Sequence, residues 1–564
     1  MTTHSGGQAA KRLPARPNLE KLKKDAKDLL RAFRAGEAEA RKLVLEQHPR
    51  PAEFAGLRDA QLALARLYGF PDWQALSDAV ELRLFGARSL EEQSDLFMSN
   101  ACLRYNGDDR AHRYRLAAAM LEQEPRIADV SLSSALAAGR FEAVRRALAR
   151  DSSKINEPAG PLGRPPLLYL TYSRVPAGHD QVLAILDLML ESGADPNSRV
   201  LLDGIYPFTA MAGAMGEGER GPVSCVPHSS ADEIVARLLA AGASPNETQG
   251  LYNTQFTQSG DKWLRVLLDH GLREHPESKS TLEYALGQAV SEGRLARVKL
   301  LLENGVDPNT LNAYNRKSCL MNARILGQEE IAATLLAHGA LSEPLAVEDE
   351  FRVALRRGDE AAMLELLERH PALKEKPLLL REGAHFGLPR VLWLLDHGFD
   401  VNGRTEDGRT LLMELGLWGE LDAIKALLER GANPDFVEKT YGATALGFAL
   451  HNRRWHVIEF LVETSNNLFD VCRVAHVERA RMLLGRDSSL VSLRTPMGNT
   501  PLHVVSQARD DNVDVEASAA TIDLLLAHGA DLSARNNEGL TPLGSYRKLG
   551  VDELVDLLHA RGAS

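Results

Sequence analysis

An all-α solenoid of about 12–13 stacked helix pairs is what this 564-residue sequence predicts. Three observations carry that reading. One ending recurs: a leucine-rich stretch, a glycine, a small residue and often an Asp or Asn. It closes "LMLESGADPN" at Gly193, "RLLAAGASPN" at Gly242, "LLLENGVDPN" at Gly305, "ATLLAHGA" at Gly339, "WLLDHGFDVN" at Gly398, "ALLERGANPD" at Gly431 and "LLLAHGADLS" at Gly529. Several gaps are nearly constant: 34 residues from Gly305 to Gly339, 33 from Gly398 to Gly431, and 33 from Gly529 to Gly562, where "LLHARGAS" ends the series. A hydroxyl residue stands 21 positions before several endings: Thr541 before Gly562, Thr410 before Gly431, and Ser318 before Gly339. Leu and Ala carry the apolar content and aromatics are only 5%, which favours helices over sheets.

Residues 1–16 read as a disordered tail without the apolar core of a signal peptide. Residues 17–84 read as a small helical module. "PNLEKLKKDAKDLLRAF" places Leu19, Leu22, Ala26, Leu29, Leu30 and Phe33 on one face, with Lys21, Lys24, Lys27 and Arg31 off it. A second and a third helix follow around a Gly69–Pro71 break, where Tyr68, Phe70 and Trp73 are expected to form an aromatic core. Residues 85–130 continue as a helical connector, and the repeat array occupies 131–564. Each repeat is two short helices that cannot bury their apolar faces alone, so neighbours must stack. The closing glycine supplies the left-handed residue that ends the second helix. The proline of "TPLH" sits in a first helical turn, where its missing N–H costs nothing.

"NTPLH", "LTPL" and the Gly-Ala-x-x-Asn endings resemble those of ankyrin-repeat proteins, and the helical segment before them resembles leader modules of the bacterial type. The resemblance covers roughly 131–564. It implies short β-hairpin tips between helix pairs and a concave face, made of tips and first helices, that binds a protein partner. The positions it places there are Glu406, Asp407, Arg409 and Trp418 in one unit, and Tyr441, His451 and Asn452 in the next. Met497 and Tyr314 fall on equivalent tips, although Arg316 replaces the usual glycine of the latter. The resemblance also implies a structural role for Thr500 and His503, three residues apart, which could otherwise be read as a nucleophile and its base. His270, His338, His397 and His528 each precede a closing glycine, where a cation suits the negative end of a helix.

The array is interrupted near 175–181, 214–230 and 509–518. Loops inserted into a stack often carry function. Residues 165–270 form its least regular stretch. There Tyr169, Tyr172, Arg174, His228, Tyr252 and Asn253 are the candidates for a ligand groove. Gly216-x-Gly218-x-x-Gly221 matches the dinucleotide fingerprint in letters, but no strand is expected before it, Pro222 follows it, and Glu217 and Glu219 repel a pyrophosphate. Cys225 and His228 could pair as nucleophile and base. A flexible loop with incidental polar residues is the reading preferred.

The net charge of −11 argues against nucleic-acid binding, although residues 1–34 hold nine Lys/Arg and three Asp/Glu, a local +6. The four cysteines are far apart and fit a reducing compartment. No run approaches a membrane span. The expectation is a cytoplasmic, non-catalytic scaffold for a protein partner, without cofactor or metal, with an enzyme or small-molecule site in 165–270 as the alternative.

Overall fold

The computed structural model describes residues 11–14, 16–54, 56–219, 221–257, 260–507 and 514–563. Most of the expected tail lies outside these residues, as does 509–513 of the third insertion. The chain divides into two units, Met1–Ala323 with Gln328–Ser342, and Arg324–Gly327 with Glu343–Ser564. Helices dominate both, and each repeat is a helix pair, so the fold is an all-α ankyrin-type solenoid.

The first unit begins with four helices, Leu19–Arg34, Ala38–Gln47, Leu57–Leu67 and Trp73–Phe85. Asn18 caps the first by accepting from Lys21 N at 3.0 Å. Leu22, Ala26 and Leu30 are buried as the pattern requires, and they share a core with Val44, Phe54, Leu64, Leu76 and Val80. The expected aromatic trio is not the centre of that core. Tyr68, Phe70 and Trp73 pack on its edge, and the ring contact is Phe33 against Phe54, centroids 4.4 Å apart. Phe33 is itself partly buried, on the edge of the same core.

Helix pairs follow, among them Leu132–Ala137 with Phe141–Arg150, Pro166–Tyr172 with His179–Glu191, Ala210–Met215 with Ala231–Ala240, Thr248–Thr254 with Gly260–Asp269, and Ser278–Ser291 with Leu295–Glu303. Their buried faces make one continuous core from Phe85 to Ala340. At Gly193, φ is +93°; Gly193 N donates to Leu190 O and Ala194 N to Met189 O. That arrangement turns the chain out of the helix and satisfies its last carbonyls.

The second unit repeats the scheme. Leu411–Trp418 pairs with Leu421–Glu429, Ala445–His451 with Trp455–Thr464, Leu468–Arg473 with Val477–Arg486, and Pro542–Leu549 with Asp552–His559. Thr410, Thr444 and Thr541 each accept a backbone N–H three residues on, which explains the fixed distance from these hydroxyls to the helix ends.

The tips are turns rather than extended ribbons. A two-stranded sheet occurs in the first unit, β1 (Arg199–Leu202) antiparallel to β2 (Tyr206–Thr209), with Arg199 opposite Thr209. Two tips of the second unit are joined across by Thr405 N to Arg409 O at 3.0 Å and Thr495 N to Asn499 O at 2.9 Å. The tip at Arg316 forms without its glycine. Arg316 takes φ +58°, Asn312 N donates to Lys317 O at 2.8 Å, and the buried Asn312 side chain accepts from Tyr314 N at 2.9 Å.

Thr500 and His503 are architecture. His503 is wholly buried. Its Nε2 lies 3.1 Å from Leu540 O in the next repeat. A carbonyl only accepts, so Nε2 carries the proton and Nδ1 accepts from the Thr500 hydroxyl at 2.8 Å. Burial holds the imidazole below its ordinary pKa of 6.5. Among the described residues no carboxylate is bonded to the ring, as a general base of a triad would need. We expect His503→Ala to cost about 1–3 kcal/mol, because it strands the Leu540 carbonyl and the Thr500 hydroxyl; urea unfolding measures it, and an unchanged midpoint would refute the linkage. Three helix-ending histidines bond within their own helix: Nδ1 of His270, His338 and His397 lies 2.7, 2.9 and 2.7 Å from the carbonyl four residues back, which it donates to.

Candidate functional site

A cavity of about 700 Å³ opens in the first unit. It is assembled from segments of successive repeats and the connector. The hairpin β1–β2 supplies Leu202, Asp203, Tyr206 and Phe208. The loop after helix Leu90–Ala101 supplies Tyr105, which takes φ +58°, donates its hydroxyl to Ala212 O at 2.7 Å and lays its ring against Phe208, centroids 4.6 Å apart. Helix Thr248–Thr254 presents Gln249, Tyr252 and Asn253; Ser278–Ser291 presents Tyr284; Leu295–Glu303 presents Arg297.

The insertion at 214–230 forms part of the wall. It is not the flexible loop expected from its glycines. Glu217, Cys225, His228 and Ser230 are buried, Glu217 N donates to Cys225 O at 2.6 Å, Gly218 N to Asn253 O at 2.9 Å, and His228 N to Ala214 O at 2.9 Å. These bonds consume the N–H groups that a phosphate loop would aim at a ligand, so the fingerprint is excluded on geometry. A short helix, Gly221–Ser224, does follow the glycines, contrary to the expectation drawn from Pro222. The Cys225–His228 pair does not form either. The Cys225 sulfur lies 3.9 Å from Asp109 Oδ2, and His228 Nδ1 accepts from Ser230 N at 3.0 Å. Burial, reinforced by Arg174 and His179, pushes His228 down to about 3, so it stays uncharged.

The walls are hydroxyl-rich. Tyr252 donates to Glu219 Oε1 at 2.5 Å, and that bond, more than burial, raises the phenol pKa well above 10. The Tyr284 and Tyr314 hydroxyls are 3.1 Å apart; burial and the neighbouring hydroxyl push Tyr284 up to about 12. Both phenols therefore remain donors at neutral pH. Glu247 caps helix Thr248–Thr254 by accepting from Gly250 N at 3.0 Å and from the Thr209 hydroxyl. Enclosure pushes its carboxyl up to about 7.

Of the six predicted groove residues, Tyr252 and Asn253 line the cavity and four do not. Tyr169 and Tyr172 are wholly buried, their hydroxyls donating to Ala159 O at 2.7 Å and Thr209 O at 2.9 Å. Arg174 is consumed by backbone carbonyls, including Val226 O at 2.5 Å and Gly213 O at 2.7 Å. Arg174 and His228 pin the insertion to the stack, while Tyr169 and Tyr172 tie down the turns at Ala159 and Thr209. Their polarity has a structural cause that the irregular pattern hid. Tyr105, Tyr284, Glu217 and Arg297 were not singled out from the sequence as site residues. Arg297 had a signal: it occupies a position on the buried stripe of its helix, beside Val298 and four before Leu301.

In the second unit the predicted positions divide as well. Tyr441 is 73% exposed, and its tip is built on the buried Glu438 carboxylate, which accepts from Thr440 N at 2.7 Å and Tyr441 N at 2.5 Å. Glu406, His451 and Asn452 are exposed, although the Asn452 amide is donated to Leu417 O at 3.0 Å. Trp418 is half-buried, its ring 5.1 Å from that of His385. Arg409 is held by Asp407 at 3.0 Å and Glu414 at 3.6 Å and covers the Phe448 ring, so Asp407 and Arg409 brace the tip. Successive tips touch. Lys439 N donates to Asp407 O, Asn537 N donates to Met497 O, and a Cβ on Gly442 would lie 3.4 Å from Pro496.

Residues 380–471 match the family model described as "Ankyrin repeats (3 copies)" and 497–537 the one described as "Ankyrin repeat". This is an ankyrin-repeat protein. Both matches fall in the second unit, and neither reaches the cavity. The chain is 26% identical over 376 residues to "Ankyrin repeat and KH domain-containing protein mask-1" of Caenorhabditis elegans, covering 60% of this chain but 14% of that protein. It is 25% identical over 187 residues to the ankyrin repeat protein YahD of Escherichia coli (strain K12), covering 31% of this chain and 91% of YahD. Over 55 residues it is 40% identical to "Cyclin-dependent kinase 4 inhibitor B" of Bos taurus, 10% of this chain and 40% of that protein. Ankyrin repeats and such relatives imply a protein-interaction scaffold. Among the described residues no helix is long and apolar enough to cross a membrane, and no cluster of three or more His, Cys, Asp or Glu could hold a metal ion.

Proposed function

We propose that the protein is a non-catalytic scaffold that holds a protein partner along the tips and first helices of its second unit. The observation that carries this reading is the row of touching tips. They display Tyr441, 73% exposed, and Met497, 69% exposed. A large exposed aromatic and a flexible thioether on a braced ledge are what an interface core uses. The ledge is ordered in advance by Glu438, Arg409 and the tip-to-tip bonds, which lowers the entropic cost of binding. A cytoplasmic setting is part of this reading, and four buried thiols without disulfides support it.

The test is capture of partners from a lysate of the source cell by wild type and by a Tyr441→Ala, Met497→Ala double variant. The variant is expected to lose the captured partner, at about 2 kcal/mol or more for a hot-spot pair, with its melting curve unchanged because both side chains are exposed. Equal capture by the two proteins would refute the assignment of this face.

A further inference from the structure

We propose that the cavity of the first unit is a ligand site, that Arg297 is its anchor, and that it takes a carboxylate monoanion carried on a flat, largely apolar body. The guanidinium carries the argument. Arg297 heads the large enclosed side chains of the protein, at 2% exposure, and it lines the cavity. Burying an arginine is costly unless its N–H groups are bonded. Two other arginines, the buried Arg113 and the half-buried Arg352, donate several hydrogen bonds each, although Arg113 Nε is without a partner among the described residues. Arg113, 5% exposed, donates to Asp109 Oδ1 at 2.8 Å, Ser99 O at 2.5 Å and Cys102 O at 3.1 Å. Arg352 donates to Glu382, Asp349 and Glu348. Among the described residues Arg297 donates to no acceptor. Its ion-pair partner there, Asp261, stands 3.6 Å from Nη1, and neither that nitrogen nor Asp261 Oδ1 has a hydrogen-bond partner. A fork of donors is thus left unfilled at the wall of a cavity.

The remaining lining decides the chemistry. A planar guanidinium matches a carboxylate bidentately. Asp203, Glu217 and Glu219 line the same cavity, and Asp261 stands beside the guanidinium; together they repel a second negative charge, which disfavours a phosphate dianion. Tyr105, Phe208, Tyr252 and Tyr284 contribute aromatic rings to the same lining, which suits a flat, largely apolar body. The volume of about 700 Å³ lies within the range of small-ligand pockets. Such a carboxylate has two sources, a free organic acid or the C-terminus of a polypeptide.

Isothermal titration of the full chain with four probes tests this: N-acetylphenylalanine, its neutral amide, inorganic phosphate, and a capped tripeptide ending in phenylalanine. The acid is expected to bind at least tenfold more tightly than the amide, and phosphate to give no heat. Arg297→Gln should abolish the preference for acid over amide. Ser280→Trp, at an exposed rim position, should weaken acid and amide alike with the unfolding curve unchanged, which keeps the test decisive if the Arg297 variant fails to fold. A tripeptide that binds more tightly than the single residue supports a polypeptide C-terminus; equal or weaker binding supports a free acid. The proposal is overturned if acid and amide bind wild type alike, if neither binds, or if Arg297→Gln keeps the preference.

Discussion

Gly213→Ala is expected to destabilise the first unit by about 3 kcal/mol or more, the upper range for overpacking a core. Gly213 lies in helix Ala210–Met215, and all six of its residues are buried. A Cβ there would sit 2.0 Å from Tyr172 Cε2 and 2.1 Å from Cδ2, far inside van der Waals contact. The ring has nowhere to go. Its hydroxyl is donated to Thr209 O at 2.9 Å, the Arg164 guanidinium stacks over it at 4.6 Å, and Tyr105 packs on its edge. Moving Tyr172 therefore displaces Tyr105, which forms a wall of the cavity. Urea unfolding of the variant should show an early transition while the second unit keeps its midpoint. Gly485→Ala is the control: a Cβ added to this exposed helical glycine would meet nothing within 4 Å, so the change should stabilise by up to about 1 kcal/mol. Equal midpoints for the Gly213 variant and wild type would show that the core yields to the extra methyl group.

Glu247→Gln is expected to stabilise the protein at pH 8 by roughly 3 kcal/mol and to be nearly neutral below pH 4.5. Burial pushes the folded carboxyl up to about 7, against an ordinary value of 4.5. The folded state therefore binds the proton more tightly than the unfolded chain. The stability contributed by this group is fully present below about 4.5 and is lost as the pH rises through about 7. A glutamine is uncharged throughout and can still accept from Gly250 N. Urea midpoints of both proteins at pH 4.5, 6 and 8 read the effect, and parallel curves across that range would refute it.

Much of this molecule is written in local pattern. The helix pairs, the hydroxyl caps at Thr410, Thr444 and Thr541, and the left-handed closing glycines each act within one turn or between adjacent repeats, so spacing alone reveals them. The tip at Arg316 shows the same logic at its edge. A non-glycine residue is held at positive φ because Asn312 and Lys317 close the turn around it.

The array is therefore legible from the chain of letters: repeated apolar faces that must stack, and the capped turns that join them. Thr500 and His503 were readable for the same reason, since their partners lie in their own turn and in the next repeat. The cavity emerges only from packing. Its lining runs from Tyr105 to Tyr314, across segments whose polar residues look like decay of the pattern. That Tyr172 braces the core while Tyr252 lines the cavity is decided by packing between repeats. Arg297 becomes conspicuous only beside the well-bonded guanidinium groups of Arg113 and Arg352. A repeat encodes nearest-neighbour contacts; a pocket is the space that several such contacts fail to fill, and that difference appears only in three dimensions.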